Sequence, residues 1–302
     1  MPSSEPSSAT THAVCYQIST VLSTTMMYPM DLVKSRIMSQ NGSHTRAYYG
    51  SSLNYAGAFS AMQKIGSNEG FFSLFRGVNF AIYAAMLSSM TYMYCYQRAL
   101  ENAFDKTSLP AMYAASFSAS VVSIVTTHPI WLLKTRTQLQ EISHPPAKTP
   151  SLWSLFLSTV RTEGPKGLYK GIQAQICTAV IHASYLPFYL ALKQTVQPAE
   201  HRISFHSADL LVCLLCTLLA KFTLVILSNP FLVMQTKLQD KRSCQSQPMY
   251  RSLRSTLFSV VRTEGITNGL LRRGLAANLL FELPRSTARI LLYEIFLSFA
   301  LR

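Results

Sequence analysis

Long apolar runs alternate with polar segments along this chain. Between Glu5 and Asp31 there is no Asp, Glu, Lys or Arg, and the later part of that interval is apolar enough to cross a bilayer. Similar runs occupy Gly77 to Gln97, Thr107 to Leu133 and Gly171 to Leu192. A fifth extends from about Leu210 to Thr236, interrupted by Lys221, and a sixth from Gly274 to Leu301 carries Glu282, Arg285, Arg289 and Glu294. A helix needs about 20 residues to cross a bilayer, so the pattern predicts six transmembrane helices. Three shorter stretches, Tyr55 to Asn68, Leu152 to Thr162 and Leu253 to Thr263, place apolar residues three or four apart. That spacing predicts short amphipathic helices lying on a membrane surface. The fold class is an all-α membrane protein.

The runs are ordered as a threefold repeat. The first, third and fifth end in a proline followed by basic residues at fixed offsets: Tyr28-Pro29-Met30-Asp31-Leu32-Val33-Lys34-Ser35-Arg36, then His128-Pro129-Ile130-Trp131-Leu132-Leu133-Lys134-Thr135-Arg136, then Asn229-Pro230-Phe231-Leu232-Val233-Met234-Gln235-Thr236-Lys237. After each comes a polar segment, a short amphipathic helix ending in Glu-Gly, a basic residue with Gly, and the second apolar run. The Glu-Gly elements read Glu69-Gly70…Phe75-Arg76-Gly77, Glu163-Gly164…Tyr169-Lys170-Gly171 and Glu264-Gly265…Arg272-Arg273-Gly274, the last one residue longer and without the aromatic. The repeats span 1–107, 108–203 and 204–302 of one integral membrane domain.

Composition narrows the class. The chain is 49% hydrophobic and 13% charged, against roughly 25% charged in soluble proteins. The net charge of +14 fits nucleic acid, anionic lipid or an anionic solute, and its distribution decides among them. Most Lys and Arg lie in the segments from Lys34 to Arg76, Lys134 to Lys170 and Lys237 to Arg273. The opposite connections hold Arg98, Lys106, Lys193 and Arg202, offset by Glu101, Asp105, Glu200 and Asp209. The positive-inside rule places the basic loops in the interior compartment, so the charge calls for no nucleic acid. The six cysteines, Cys15, Cys95, Cys177, Cys213, Cys216 and Cys244, lack disulfide or zinc spacing and read as small packing residues. The N-terminus reads as a short disordered tail without a signal peptide. There is no nucleophile, base and orienter at recognisable spacing, no phosphate-cradling Gly loop and no metal-ligand cluster. Neither an enzyme, a catalytic residue, a cofactor nor a metal is expected.

Three copies of P-x-[DE]-x-x-[KR]-x-[KR] and E-G-x4-aromatic-[KR]-G, with the departures visible above, resemble the mitochondrial carrier family over nearly the whole chain. The resemblance implies six tilted helices around a central cavity with pseudo-threefold symmetry, one solute site near mid-membrane, and alternating access. It also implies a monomer, cardiolipin at the ends of the amphipathic helices, and the mitochondrial inner membrane, with a peroxisomal membrane as the alternative. Pro129-Ile130-Trp131, the stretch from Gly77 to Ser88, and Lys221 nine residues before Pro230 resemble the branch that carries folate, FAD, NAD and pyrimidine nucleotides.

In that family the acid of each signature pairs with the basic residue of the next, closing the matrix side of the cavity. Here the pattern implies an Asp31–Lys134 pair, with Trp131 facing Gln235 and Leu232 facing Lys34. Two of the three ion pairs are then absent, so the gate is expected to be weak on the matrix side unless packing of Trp131 and Leu232 replaces the charges. Gln138 and Gln239 match the bracing glutamine, whereas Met38 does not. Taken without the resemblance, Asp31 and Lys34 read as solvated helix ends. The opposite gate, at Tyr96-Gln97, Tyr189…Lys193 and Tyr293-Glu294, retains no such pair, leaving Gln97 to hydrogen-bond Lys193.

An ionisable side chain at membrane depth costs about 2.5–3.5 kcal/mol on insertion scales and therefore faces a wet cavity. Lys221, roughly 13 Å above Pro230 at 1.5 Å per residue, is the first candidate to bind a solute phosphate or carboxylate; a structural partner such as Glu282 is the alternative. His182 and Thr178 on the fourth apolar run are further candidates, His182 reading equally as a satisfied interior histidine. Phe281 stands at the family's contact point on the sixth helix. Arg285 and Arg289, beyond it, either take an anion or pair with Glu282 and Glu294. Ala84 and Ala85 at the second-helix contact point leave room for a flat ring system. These residues predict transport of an anionic nucleotide-like or vitamin-derived cofactor; the depleted gates suggest a carrier fold acting in membrane organisation as the alternative.

Overall fold

The computed structural model describes residues 6–39, 55, 57–102, 108–139, 151–196, 207–240 and 252–300. Every regular element among them is helical. The helices are α1 (Pro6–Ser39), α2 (Ala58–Glu69), α3 (Val78–Glu101), α4 (Leu109–Leu139), α5 (Leu152–Glu163), α6 (Ile172–Ala183), α7 (Tyr185–Val196), α8 (Ser207–Gln239), α9 (Leu253–Glu264) and α10 (Leu275–Ala300). Among the described residues helical structure begins at Pro6, so residues 6–13 of the expected disordered tail form the first turns of α1. His12, within that stretch, hydrogen-bonds the Tyr293 hydroxyl of α10 at 2.8 Å. Parts of the polar segments after the signatures, with Cys244, Lys106 and Arg202, lie outside the described residues.

Among the described residues, four segments are long and apolar enough to cross a membrane: Phe71–Glu101, Leu109–Leu139, Pro165–Val196 and Val212–Gln239. α1 and α10 are also long, at 34 and 26 residues. α1 carries Asp31, Lys34 and Arg36, and α10 carries four charged side chains in its sequence. The fourth apolar run is not one helix. It breaks between Ala183 and Ser184, because Pro187 has no N–H to offer the carbonyl of Ala183 and its ring would clash with it.

The three Glu-Gly linkers differ as their lengths require. Phe71–Phe75 and Pro165–Tyr169 form 3₁₀ turns. The third linker, one residue longer, takes a wider π turn over Thr267–Leu271, closed by Arg272 N–H donating to the Thr267 carbonyl at 2.8 Å. All three linkers then reach a glycine with positive φ: Gly77 at 85°, Gly171 at 83° and Gly274 at 66°. An L side chain is costly in that region.

The core sits where α1, α4 and α8 converge at their signature ends. Each short helix packs one face onto its own signature helix, as Ile65 does beside Leu32 and Val33. Leu155 joins Leu132 and Leu133 in the second repeat, and Val260 joins Met234 and Leu238 in the third. Away from this end, large apolar side chains such as Val122, Leu219 and Phe299 are exposed, as expected for helices whose outer surface meets lipid.

Candidate solute site and gate

The residue before each signature proline ties the odd helix to the linker that follows it. Tyr28 donates its hydroxyl to the Arg76 carbonyl at 2.7 Å. A His128 ring nitrogen lies 3.0 Å from the Lys170 carbonyl. The amide of Asn229 donates to the Arg273 carbonyl at 3.2 Å and to the Leu270 and Leu271 carbonyls at 3.0 Å. The sequence argument missed these three residues, although a polar or aromatic group before each proline was visible there.

About two turns beyond, the residue at the second basic position of each signature meets the glutamate of its own Glu-Gly element. Arg36 pairs with Glu69, Arg136 with Glu163 at 2.8 Å and Lys237 with Glu264 at 2.9 Å. The same arginines also reach the next repeat. Arg36 donates to the Gln138 carbonyl at 3.0 Å and Arg136 to the Gln239 carbonyl at 3.2 Å. Burial acts to raise the Glu163 carboxyl, but hydrogen bonds from Arg136 and Lys170 outweigh it and hold the group below the usual carboxylate range.

Asp31 lies at the centre of the closed end. It pairs with Lys134 across α1 and α4 and with Lys34 of its own helix at 3.2 Å. It also accepts from the amide of Gln138 at 3.0 Å, whose own oxygen takes the Ser35 hydroxyl at 2.8 Å. These side chains are buried rather than solvated helix ends. The Lys34 ammonium lies 4.3 Å over the Phe281 ring. Trp131 receives Lys134 over its ring at 5.2 Å, and Gln235 reaches Gln175 at 3.5 Å. Gln239 places its backbone carbonyl, not its amide, in the network, and its side-chain nitrogen is buried without a hydrogen-bond partner among the described residues. At the opposite end Gln97 is exposed, and no hydrogen bond joins it to Lys193 among the described residues.

Between the two ends a second group of charges lies inside the bundle. Lys221 of α8 rests 4.4 Å over the Tyr185 ring, which begins α7 just after the break at Ser184. Arg289, Glu282 and Arg285 are the charged groups whose fields reach it. Arg285 pairs with Glu282 at 2.7 Å, and Arg289 lies 5.7 Å over Tyr16; neither arginine meets Glu294. His182 bonds the Ser228 hydroxyl at 3.2 Å, and Thr178 donates back to the Ala174 carbonyl within its helix. The side chains of Arg285 and Glu282 remain 26% and 20% exposed, whereas those of Lys134 and Asp31 are 7% and 6% exposed. The Arg285–Glu282 pair is therefore more open than the gate beneath it. Phe281 is buried under the cluster, against Lys34 and Arg285. Ala84 and Ala85 are also buried, so they sit in helix contacts rather than on an open wall.

The family described as "Mitochondrial carrier protein" matches the chain three times, over residues 5–107, 105–200 and 206–302. The chain is 31% identical over 279 residues to "Folate transporter 1, chloroplastic" of Arabidopsis thaliana, covering 89% of this chain and 88% of that protein. It is 26% identical over 282 residues to "Nicotinamide adenine dinucleotide transporter 2, mitochondrial" of the same plant, covering 92% and 76%. To "Mitochondrial FAD carrier protein FLX1" of Saccharomyces cerevisiae it is 24% identical over 297 residues, covering 90% and 91%. With three matches spread over nearly its full length, on a helical framework whose linker contacts recur in every repeat, this chain belongs to the mitochondrial carrier family, a family of membrane transporters and not of enzymes.

Proposed function

We propose that this carrier moves an anionic nucleotide-like or vitamin-derived cofactor, of the folate, FAD, NAD or pyrimidine nucleotide class, across an organelle inner membrane by alternating access. The observation that carries the proposal is the interior cluster of Lys221, Arg285 and Arg289, with Glu282 as the carboxylate among them and the Arg285–Glu282 pair partly exposed. Three cations against one anion at membrane depth are costly to keep, and an anionic solute offsets that cost. The names of the chloroplastic folate transporter and of the mitochondrial NAD and FAD carriers fall in the same solute class.

In this reading Lys221 and Arg285 hold the phosphate or carboxylate, and His182 and Thr178 border the solute on α6. Ala84 and Ala85 keep α3 slim at its contact with neighbouring helices. Asp31, Lys34, Lys134 and Gln138 form the gate, with Trp131, Gln235 and Gln239 packed around it. Six membrane helices in three repeats, 1–107, 108–203 and 204–302, surround the site with pseudo-threefold symmetry. α2, α5 and α9 lie on the membrane surface, where exposed Phe59, Trp153 and Phe258 reach lipid and cardiolipin binds at the helix ends. The working unit is a monomer. The compartment is the mitochondrial inner membrane, ahead of a peroxisomal membrane.

Uptake of labelled folate, FAD, NAD and a pyrimidine nucleotide into proteoliposomes tests the proposal. At least one is expected to enter and to lose entry with Lys221→Ala. Folded protein that moves none of them would sink it.

A further inference from the structure

The charges of the gate and those of the proposed site form one connected chain. Lys134 pairs with Asp31, and Asp31 pairs with Lys34 at 3.2 Å. Lys34 lies 4.3 Å over the Phe281 ring and Arg285 lies 4.8 Å over the same ring. Arg285 in turn pairs with Glu282 at 2.7 Å. Position 232 of the third signature is leucine, so it offers Lys34 no carboxylate. The ammonium is instead shared between the acid of its own helix and an aromatic face, which attracts a cation without neutralising it. Glu282 meanwhile occupies the guanidinium at which an anionic solute would arrive. After Arg285, Lys34 and Lys221 are the cations that act most strongly on Glu282.

We infer that Glu282 is a resident counter-anion linking site to gate: a solute phosphate or carboxylate takes Arg285 from it, and the displaced carboxylate draws Lys34 away from Asp31. The inference rests on the anionic solute proposed above. Exchange at Arg285 is easier than at the gate because both partners are partly exposed. Loss of Lys34 leaves the buried Asp31 with one cation, Lys134, in place of two, which weakens the gate. A ligand shifts a conformational equilibrium only through its different interactions with the two states, and this exchange supplies such a difference. The Phe281 ring holds Lys34 beside Asp31, at the residue that precedes Glu282 in the chain. Glu282 is thus a positioning residue, acting through Arg285 and Lys34, and it competes with the solute it helps to move.

The test is Glu282→Gln in proteoliposomes, using as probe whichever of FAD, folate, NAD or a pyrimidine nucleotide the unaltered carrier transports. With the competitor gone and the link cut, KM and kcat are each expected to fall about fivefold, the lower end of the range for coupled sites. The same probe at one subsaturating concentration is expected to raise the melting temperature of the variant more than that of the parent, since tighter binding stabilises more. If Glu282→Gln does not fold, Glu282→Asp keeps the charge with a shorter reach, and its kcat is expected to fall without a rise in KM. A raised KM in the variant tested, or wild-type KM and kcat together, overturns the inference while leaving the transport reading intact. A parent protein that transports none of the probes overturns both.

Discussion

The side-chain amide of Gln138 donates to Asp31 at 3.0 Å while the Gln138 carbonyl accepts from Arg36 at 3.0 Å. With the Ser35 hydroxyl on its amide oxygen, one glutamine thus binds three members of the preceding repeat at the junction between α1 and α4. Asp31→Ala leaves Lys34 and Lys134 buried without their carboxylate and is expected to destabilise the folded carrier by about 3–5 kcal/mol. Gln138→Ala leaves those charges paired and is expected to cost about 1–3 kcal/mol. Thermal unfolding in detergent measures both, and a Gln138→Ala loss equal to that of Asp31→Ala would contradict this order.

Gly274 is the tightest of the three linker glycines. A Cβ there would lie 2.6 Å from Met38 Cγ, on a backbone with φ of +66°. Gly274→Ala should therefore destabilise the protein through both the clash and the backbone, the latter alone costing about 1–2 kcal/mol. Adding Met38→Ala should recover part of the loss, because it removes the clash and not the backbone strain. The double variant melting no higher than Gly274→Ala would show that the contact with Met38 is unimportant.

Glu163 should make stability depend on pH. Its carboxyl is a stronger acid folded than unfolded. Its contribution is therefore fully present above the unfolded value of about 4.3, and is lost as pH falls through the lower folded value. Melting temperatures taken from neutral pH down through the acid range should fall less steeply for Glu163→Gln than for the parent. Parallel slopes would remove Glu163 from the account.

Lys221 and Tyr185 should separate charge from ring. Tyr185→Phe keeps the face beneath the ammonium and is expected to transport with near-parental KM. Tyr185→Leu removes a cation–π contact worth about 2 kcal/mol when desolvated and is expected to raise KM severalfold. Uptake kinetics in proteoliposomes decide this, and equal KM values for the two variants would leave the ring without a role in holding Lys221.

The sequence alone determined the repeat and most of the helices, and the family resemblance implied one pair across them. Apolar runs, proline signatures and Glu-Gly elements are local features whose spacing sets helix position and length, and even the break at Ser184 was encoded by Pro187. Asp31 and Lys134 meet because the repeat brings equivalent faces of α1 and α4 together. Tertiary structure decided where the departures from the pattern go. Lys34, facing no acid at position 232, rests on Phe281; Lys221 rests on Tyr185; Gln239 contributes a carbonyl in place of its amide. Such choices depend on how each helix is rotated and broken against its neighbours, and on which side chains water reaches. Residue spacing along one helix holds no record of either.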